Sequence, residues 1–222
     1  TYTQNLAAAL DKMGCKVTVA AMHSHGGEKC EQHGNVEVVR LPCISALGGR
    51  YPVPKHDKAY RQAMERLTNT APDYVVVNTR FYPLSLEGLK FARKQGIAPV
   101  LVEHGSAHLS MGCPTVNIAV EAVEHALTLL DKRQRPAYYA VSKKASAWLE
   151  HFGIASAGEL PNAIDADTYA AGASKRNFRE ELGISDDALL VASAGRLIPE
   201  KGVLQLAQAV KTLHQEGCNV HI

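Results

Sequence analysis

The chain has 222 residues and a formal net charge of +2, with 46% hydrophobic and 21% charged residues. This composition is typical of a globular protein with one large domain or two modest ones, and the small net charge gives no sign of nucleic acid as a partner. No apolar run approaches the ~20 residues that a membrane helix needs.

The five cysteines are scattered along the chain, odd in number and free of any C-x-x-C pair. This pattern argues against a disulfide framework or a structural zinc site and favours reduced thiols in the cytosol. We therefore expect a cytoplasmic protein and leave open a peripheral association with the inner face of the membrane. No signal peptide is visible, but Thr1 is not an initiator Met and opens directly into helix-like sequence, which leaves room for an upstream segment.

Strand-like and helix-like segments alternate along almost the whole chain. The first segment, residues 1–13, has helical periodicity and ends at Gly14, a typical stop residue. The predicted strands that follow are 15–21, 36–41, 74–78, 99–103, 137–141, 188–194 and 218–222. The predicted helices between them are 55–69, 84–95, 115–131, 142–152 and 203–216. Apolar strands that alternate with helices predict an α/β fold with a parallel sheet covered on both faces.

A soft domain boundary falls near residues 165–175, where small and polar residues dominate DADTYAAGASK. We expect a nearly complete Rossmann-like domain over residues 1–170 and the beginning of a second one over residues 171–222. The second stretch holds one helical crossover and a last strand that stops within the element. It is therefore expected to be incomplete.

The most informative stretch is GRLIPEKG, residues 195–202, between a predicted strand and a helix that begins near Val203. Ligands of open parallel sheets bind beyond the C-terminal ends of the strands, and a helix N-terminus there favours phosphate. Arg196 offers a planar fork of donors and Lys201 a mobile charge, so the pair could hold a diphosphate and stabilise it as a leaving group. The spacing alone describes a generic βα turn, for which two solvated surface cations are the alternative interpretation.

A second polar stretch, EHGSAH, follows the predicted strand 99–103. His104 and Gly105 stand at the strand end, where the imidazole could contact a sugar hydroxyl or a phosphate, or act as a base. A structural loop histidine explains the position equally well. Metal binding by Glu103, His104 and His108 is the third alternative, but no further ligand follows at a fixed spacing, so we expect no metal site.

Two lesser features have ordinary explanations. HSHGG, residues 23–27, is typical of a flexible turn after a strand. DAD, residues 165–167, has the form of a D-x-D metal motif but lies in PNAIDAD. There, Asn162 and Asp165 are well suited to form a turn and to cap a short helix, which is the interpretation we favour.

Taken together, these segments resemble the family 4 glycosyltransferases, which are retaining enzymes of the GT-B fold with two facing Rossmann-like domains. SAGRLIPEKGVLQLAQAV is similar to the family's G-R-L-x-x-x-K-G-x-x-x-L signature and is the most specific match. LPNAIDADTY resembles P-N-G-V-D-x-x-x-F, with Ala163 in place of Gly and Tyr169 in place of Phe. The other matching segments are TYTQNLAAALDKMGCKVTVAA, EHGSAH and AVSKKASAWLEHFGI.

The resemblance implies roles for individual residues. Arg196 and Lys201 would bind the diphosphate of a nucleotide-sugar donor, and Gly195 would permit close approach of the backbone. His104 would lie near the transferred sugar in the interdomain cleft. These three side chains, His104, Arg196 and Lys201, are the catalytic candidates.

The implied reaction transfers a sugar from a nucleotide diphosphate sugar to a hydroxyl of a sugar, glycan or lipid acceptor, with retention at the anomeric carbon. No metal or other cofactor is implied, because the cations and the helix dipole would carry the electrostatic work. The family's first strand and glycine-rich loop would precede Thr1, and its E-x7-E motif would follow Ile222. We therefore expect an inactive fragment of a hexosyltransferase-type enzyme. The alternatives are a non-catalytic sugar-nucleotide-binding module and a phosphorylase or epimerase of the same fold.

Overall fold

The computed structural model describes residues 1–23, 30–46, 51–109, 113–195, 197 and 201–222. The chain divides into two units, Thr1–Asp165 and Ala166–Ile222. The sequence placed its domain boundary near residue 170, in the short helix that follows this division. Both units combine helices with parallel strands, as the α/β prediction expects.

Helix α1 (Tyr2–Lys12) opens the first unit. Thr1 and Gln4 form a capping box, in which each side chain bonds the backbone of the other residue. The helix ends before Gly14, whose φ of +84° is a left-handed conformation that glycine adopts without steric cost. The predicted helix 1–13 is confirmed with its stop residue.

The first sheet has four strands, and the long β3 (Val36–Ala46) pairs with each of the other three. Strand β1 (Thr18–His23) runs parallel to β3, while β2 (Cys30–His33) and β4 (Tyr51–Pro54) are antiparallel to β3. Helix α2 (Lys58–Asn69) packs on this sheet through Tyr60 and Leu67. The sequence did not predict β2 and β4, because each is only four residues long and lacks a distinct apolar run.

The second sheet holds three parallel strands in the order β5-β6-β7. These are β5 (Val76–Asn78), β6 (Val100–Glu103) and β7 (Ala137–Ala140). The helices that connect or follow them are α3 (Pro83–Lys94), α4 (Pro114–Arg133) and α5 (Lys143–His151). Leu89, Leu101 and Leu149 are fully buried in the core between helices and sheet. This arrangement confirms the predicted parallel, helix-covered sheet.

The second unit is smaller. It contains α6 (Ala166–Ala171), α7 (Phe178–Leu182), β8 (Leu189–Leu190), α8 (Val203–Gln215) and β9 (Val220–His221). Strands β8 and β9 pair in parallel, so α8 is the crossover between them. Of the predicted strand 188–194, only Leu189 and Leu190 pair as a strand. Among the described residues of both units, no helix has the length and apolarity to cross a membrane.

Candidate functional site

The parallel strands β5, β6 and β7 end at one edge of the second sheet, and polar residues stand at these ends. Asn78 ends β5, and Glu103 ends β6 directly before His104. Because all three strands run in the same direction, their carboxyl ends bring these side chains together. This edge is where ligands of open parallel sheets bind.

His104 is anchored at this edge by a neighbouring strand. Its Nε2 lies 3.2 Å from Oδ1 of Asn78, whose own amide nitrogen donates to Thr3 at 3.5 Å. With the amide in this orientation, Nε2–H of His104 is the donor and Nδ1 keeps a free lone pair. The imidazole packs edge-on against the ring of Tyr2, with centroids 4.5 Å apart. Burial lowers the pKa of His104, so the ring is neutral near pH 7.

The turn after β6 is held by the buried carboxylate of Glu103. Its Oε1 accepts a hydrogen bond from the backbone N–H of Gly105 at 2.6 Å, and the backbone N–H of His104 also contributes. Burial raises the pKa of Glu103, and the Arg80 guanidinium and these N–H groups oppose that rise. A Cβ on Gly105 would lie 2.9 Å from Oε1 of Glu103, closer than side-chain contacts allow. A larger residue at this position would therefore force the turn or the Glu103 carboxylate to move.

Arg80 is the centre of a buried ionic network beneath the turn. Its side chain is 1% exposed, and its Nε lies 2.9 Å from Oε2 of Glu103. One terminal nitrogen donates to Glu124 and the other to Thr128, both at 2.7 Å. The guanidinium also lies over the ring of Phe152, 3.6 Å from its centroid. The network ties β6, α4 and the end of α5 to one cation.

The ionic network contains more acidic side chains than basic ones. Asp131 is fully buried on the same face of α4, and neither of its carboxylate oxygens has a hydrogen-bond partner among the described residues. Burial raises the pKa of Asp131 to about 8, with Arg80 opposing and Glu103 adding to the rise. This shift favours the protonated form of Asp131 in the folded protein. Arg80 then faces two carboxylates, Glu103 and Glu124.

Sequence reasoning did not identify Arg80, Glu124 or Asp131. A signal was present in α4, where Glu124, Thr128 and Asp131 recur at spacings of four and three residues and so share one helix face with the buried Val120. A polar stripe on a buried helix face calls for a buried partner. No comparable signal in the sequence marks Arg80. In the structure, the residue before it, Thr79, is β-branched and has an unusual φ of +65°.

The predicted diphosphate site lies in the second unit. The stem of Lys201 passes over Gly195, where a Cβ added to the glycine would lie 3.9 Å from Cγ and Cδ of the lysine. Gly202 caps α8 in the left-handed conformation, with no side chain bonded to the free N–H groups of the first turn. The structure thus brings Gly195, Lys201 and the start of α8 together. Arg196 lies outside the described residues.

The two lesser sequence features can be placed in part. Residues 24–27 of HSHGG lie outside the described residues, so that turn stays a prediction. Helix α6 begins at Ala166, directly after Asp165. The side chain of Asp165 pairs with Lys12 at 3.1 Å. The start of α6 agrees with the predicted short helix, whereas the turn and the cap by Asn162 and Asp165 stay a prediction.

A cavity of about 310 Å³ adjoins the carboxyl edge of the second sheet. It is bordered by Asn78, the residue that anchors His104, and by Tyr82 and Ser85 at the start of α3. A larger cavity of about 420 Å³ lies elsewhere, between the first sheet and α2, and includes none of the predicted site residues. We regard the smaller cavity as the more relevant one, because it lies at the strand ends.

Fold and site together define an α/β protein with a polar, ionic carboxyl edge of the kind that binds polar ligands. The sequence profile of the family described as Glycosyltransferase Family 4 matches residues 1–168, so the chain belongs to that family. The chain is also 36% identical over 73 residues to the lipopolysaccharide 1,2-N-acetylglucosaminetransferase of Salmonella typhimurium (strain LT2). This match covers 33% of the present chain and 19% of that relative.

Proposed function

We propose that the protein containing this chain is a retaining glycosyltransferase that uses a nucleotide diphosphate sugar as donor. The observation that carries the proposal is the family match over residues 1–168, which includes the carboxyl edge with His104. The named relative is an N-acetylglucosaminetransferase that acts on a lipopolysaccharide. By analogy, we propose a hexosyl-type donor sugar and a sugar, glycan or lipid acceptor, the last of which would bring the protein to a membrane surface.

The donor diphosphate would bind at the turn before α8. Lys201 is exposed and adjoins Gly195, which leaves the backbone open to a close approach. The uncapped N–H groups at the start of α8 are suited to phosphate oxygens, and a positive helix end stabilises negative charge. Arg196 joins this site through the family resemblance. Cations placed here would stabilise the departing diphosphate, so the proposed reaction needs no added metal.

His104 would act on the transferred sugar. The neutral imidazole has a defined tautomer, with Nε2–H committed to Asn78 and Nδ1 free to accept a hydrogen bond from a hydroxyl. The buried carboxylate of Glu103 fixes the backbone of His104 by accepting hydrogen bonds from the N–H groups of His104 and Gly105. A fixed neutral imidazole is suited to orient a sugar hydroxyl or to stabilise charge that develops on the sugar.

Calorimetric titration with nucleoside diphosphates tests the donor site in the protein expressed from its complete reading frame. Arg196→Ala and Lys201→Ala should each weaken binding of the preferred nucleoside diphosphate by on the order of 10²-fold, because each removes a charge-assisted contact. Lys211→Ala, at an exposed position on α8, is the matched control and should bind normally. Normal binding by both site variants, with a loss in Lys211→Ala, would overturn the assignment.

Two further measurements address the chemistry itself. Proton NMR of the first product formed should show the anomeric configuration of the donor; the opposite configuration would refute retention. Transfer should proceed without added Mg²⁺ or Mn²⁺ and should not be accelerated when either ion is supplied. A requirement for added Mg²⁺ or Mn²⁺ would refute the metal-free mechanism.

A further inference from the structure

Three imidazoles from distant parts of the first unit meet beside α5. His108 lies in the segment after β6, His125 lies on α4, and His151 is the last residue of α5. One ring nitrogen of each lies within 4.8 Å of a ring nitrogen of each other residue. Three histidines that converge in this way form a set of nitrogen ligands of the kind that zinc and related ions prefer.

His108 already makes the second hydrogen bond that is usual for a histidine ligand of a metal. Its Nδ1 lies 2.7 Å from Oε2 of Glu124, whose other oxygen accepts from Arg80. Because Glu124 accepts from the Arg80 guanidinium through its other oxygen, we assign it as the acceptor here too, with Nδ1–H of His108 as the donor. In the neutral ring Nε2 then holds the free lone pair. A histidine that donates one ring N–H to a carboxylate and offers the other nitrogen is the usual arrangement at zinc sites.

Aromatic side chains pack against one side of the histidine cluster, and its other side is exposed to solvent. Trp148 stacks flat on His151, with centroids 4.9 Å apart and planes 5° apart, and it meets His108 edge-on at 4.7 Å. Phe152 closes the inner side against His125, with centroids 4.8 Å apart. His125 and His151 are exposed, whereas the side chain of His108 is 22% exposed. A water molecule from the open side could therefore complete a tetrahedral coordination.

We propose that His108, His125 and His151 form a binding site for a divalent transition ion, for which zinc is the best fit. Zinc–nitrogen bonds of about 2.0–2.1 Å place the nitrogens of a tetrahedral site about 3.3 Å apart. The three nitrogens therefore need to approach by about 1.5 Å at most. Rotation of the exposed His125 and His151 about their side-chain bonds supplies a movement of this size.

The bound ion would cross-link the segment after β6 to two helices. That segment begins with His104 and Gly105 and reaches His108, so its two ends would be held by the Glu103 turn and by the metal. The site is separate from the proposed donor chemistry, which needs no metal. Sequence reasoning paired His108 with Glu103 and His104 and missed the site, because His125 and His151 reach His108 only through the fold.

Metal binding to the purified protein, expressed from its complete reading frame, tests this inference without any assay of transfer. Competition between the protein and a chromogenic chelator should show one equivalent of bound Zn²⁺. His125→Asn and His151→Asn should each weaken Zn²⁺ binding by about 100-fold or more. This loss lies above the 10–100-fold range that is usual when only a residue that orients a ligand is removed. His33→Asn is the matched control: His33 has a 68% exposed side chain on β2, outside the cluster.

Two additional readouts separate this site from other ligands. Co²⁺ in place of Zn²⁺ should give the visible absorption of a tetrahedral nitrogen-ligated ion without the near-ultraviolet band of a thiolate, which excludes cysteine ligands. Zn²⁺ should raise the melting temperature of the wild-type and His33→Asn proteins but not of the folded His125→Asn/His151→Asn double variant. Binding below half an equivalent, or binding that survives in the double variant, would overturn the proposal.

Discussion

Oε1 of Glu103 accepts the backbone N–H of Gly105 at 2.6 Å, and Oε2 of the same carboxylate pairs with Arg80 at 2.9 Å. One buried side chain thus links the turn after β6 to the ionic network below it. The turn carries His104, so the position of the catalytic candidate depends on a charge balance inside the protein. Perturbing that balance should affect stability first and activity through it.

Gly105→Ala should destabilise the first unit by about 1–3 kcal/mol, the usual cost of forcing an extra methyl group into a packed site. The new Cβ would lie 2.9 Å from Oε1 of Glu103, so the turn or the carboxylate must move. Urea denaturation followed by circular dichroism measures the change. Gly158→Ala is the control, since its Cβ would meet the Tyr139 ring at 3.4 Å, an ordinary contact. Equal stability of both variants would contradict the described turn.

Arg80→Met should lower the free energy of unfolding by about 3–5 kcal/mol, because it leaves the carboxylates of Glu103 and Glu124 buried without their cation. The exposed pair of Arg66 with Glu37 provides the control, and Arg66→Met should cost about 1 kcal/mol or less. Chemical denaturation at several pH values is the measurement.

The stability of Arg80→Met should also depend on pH in a characteristic way. Without Arg80, protonation of Glu103 and Glu124 removes the cost of burying two unpaired negative charges. The folded variant should therefore bind protons more readily than the unfolded chain does. The stability difference between Arg80→Met and wild type should therefore shrink as the pH falls. A difference that stays constant from pH 8 to pH 5 would show that packing, and not charge, is lost in the variant.

The strands with apolar runs could be predicted from the sequence, whereas the network at their ends could not. Val100–Glu103 and Ala137–Ala140 were found because each belongs to a continuous run of mostly apolar residues, the pattern of strands in a helix-covered parallel sheet. Strands β2 and β4 were missed because short antiparallel strands depend on their pairing with β3 more than on their own composition. Pairings of this kind are set by tertiary structure.

The candidate site shows the same division. His104 and Lys201 were named as candidates because each stands at a strand end or a helix start, positions that local sequence reveals. Arg80 and Glu124 were not, because they are 44 residues apart and meet only in the folded protein. Nothing in the local sequence distinguishes a buried Arg–Glu pair from two solvated charges. The fold alone supplies the desolvation that makes this pair important.

Asp131 should make the stability of the first unit fall as the pH rises. Burial raises the pKa of Asp131 to about 8, above its ordinary value of 3.8, so the folded state retains a proton that the unfolded chain releases. Between about pH 4 and pH 8 the folded state holds more protons, and stability is lost with a slope of at most about 1.4 kcal/mol per pH unit.

Asp131→Asn should remove this dependence, because the amide cannot ionise. Denaturation midpoints measured from pH 5 to pH 8.5 should fall in the wild type and stay flatter in the variant. Asp73→Asn, at an exposed position, should leave the wild-type slope unchanged. A wild-type slope that matches the slope of Asp131→Asn would refute a buried proton at this site.

His104→Ala, in the protein expressed from its complete reading frame, should lower kcat by about 10²-fold, a typical cost of losing one group that stabilises developing charge. The loss of its hydrogen bond to Asn78 should reduce stability by only about 1 kcal/mol. Because burial lowers the pKa of His104, wild-type turnover should persist at mildly acidic pH and fall only when the ring is protonated.

Initial rates and melting curves recorded side by side separate the effect of His104→Ala on turnover from its effect on stability. His33→Ala, on β2, should leave both unchanged. Full turnover in His104→Ala, together with a large loss of thermal stability, would assign the histidine a structural role and would remove it from the proposed mechanism.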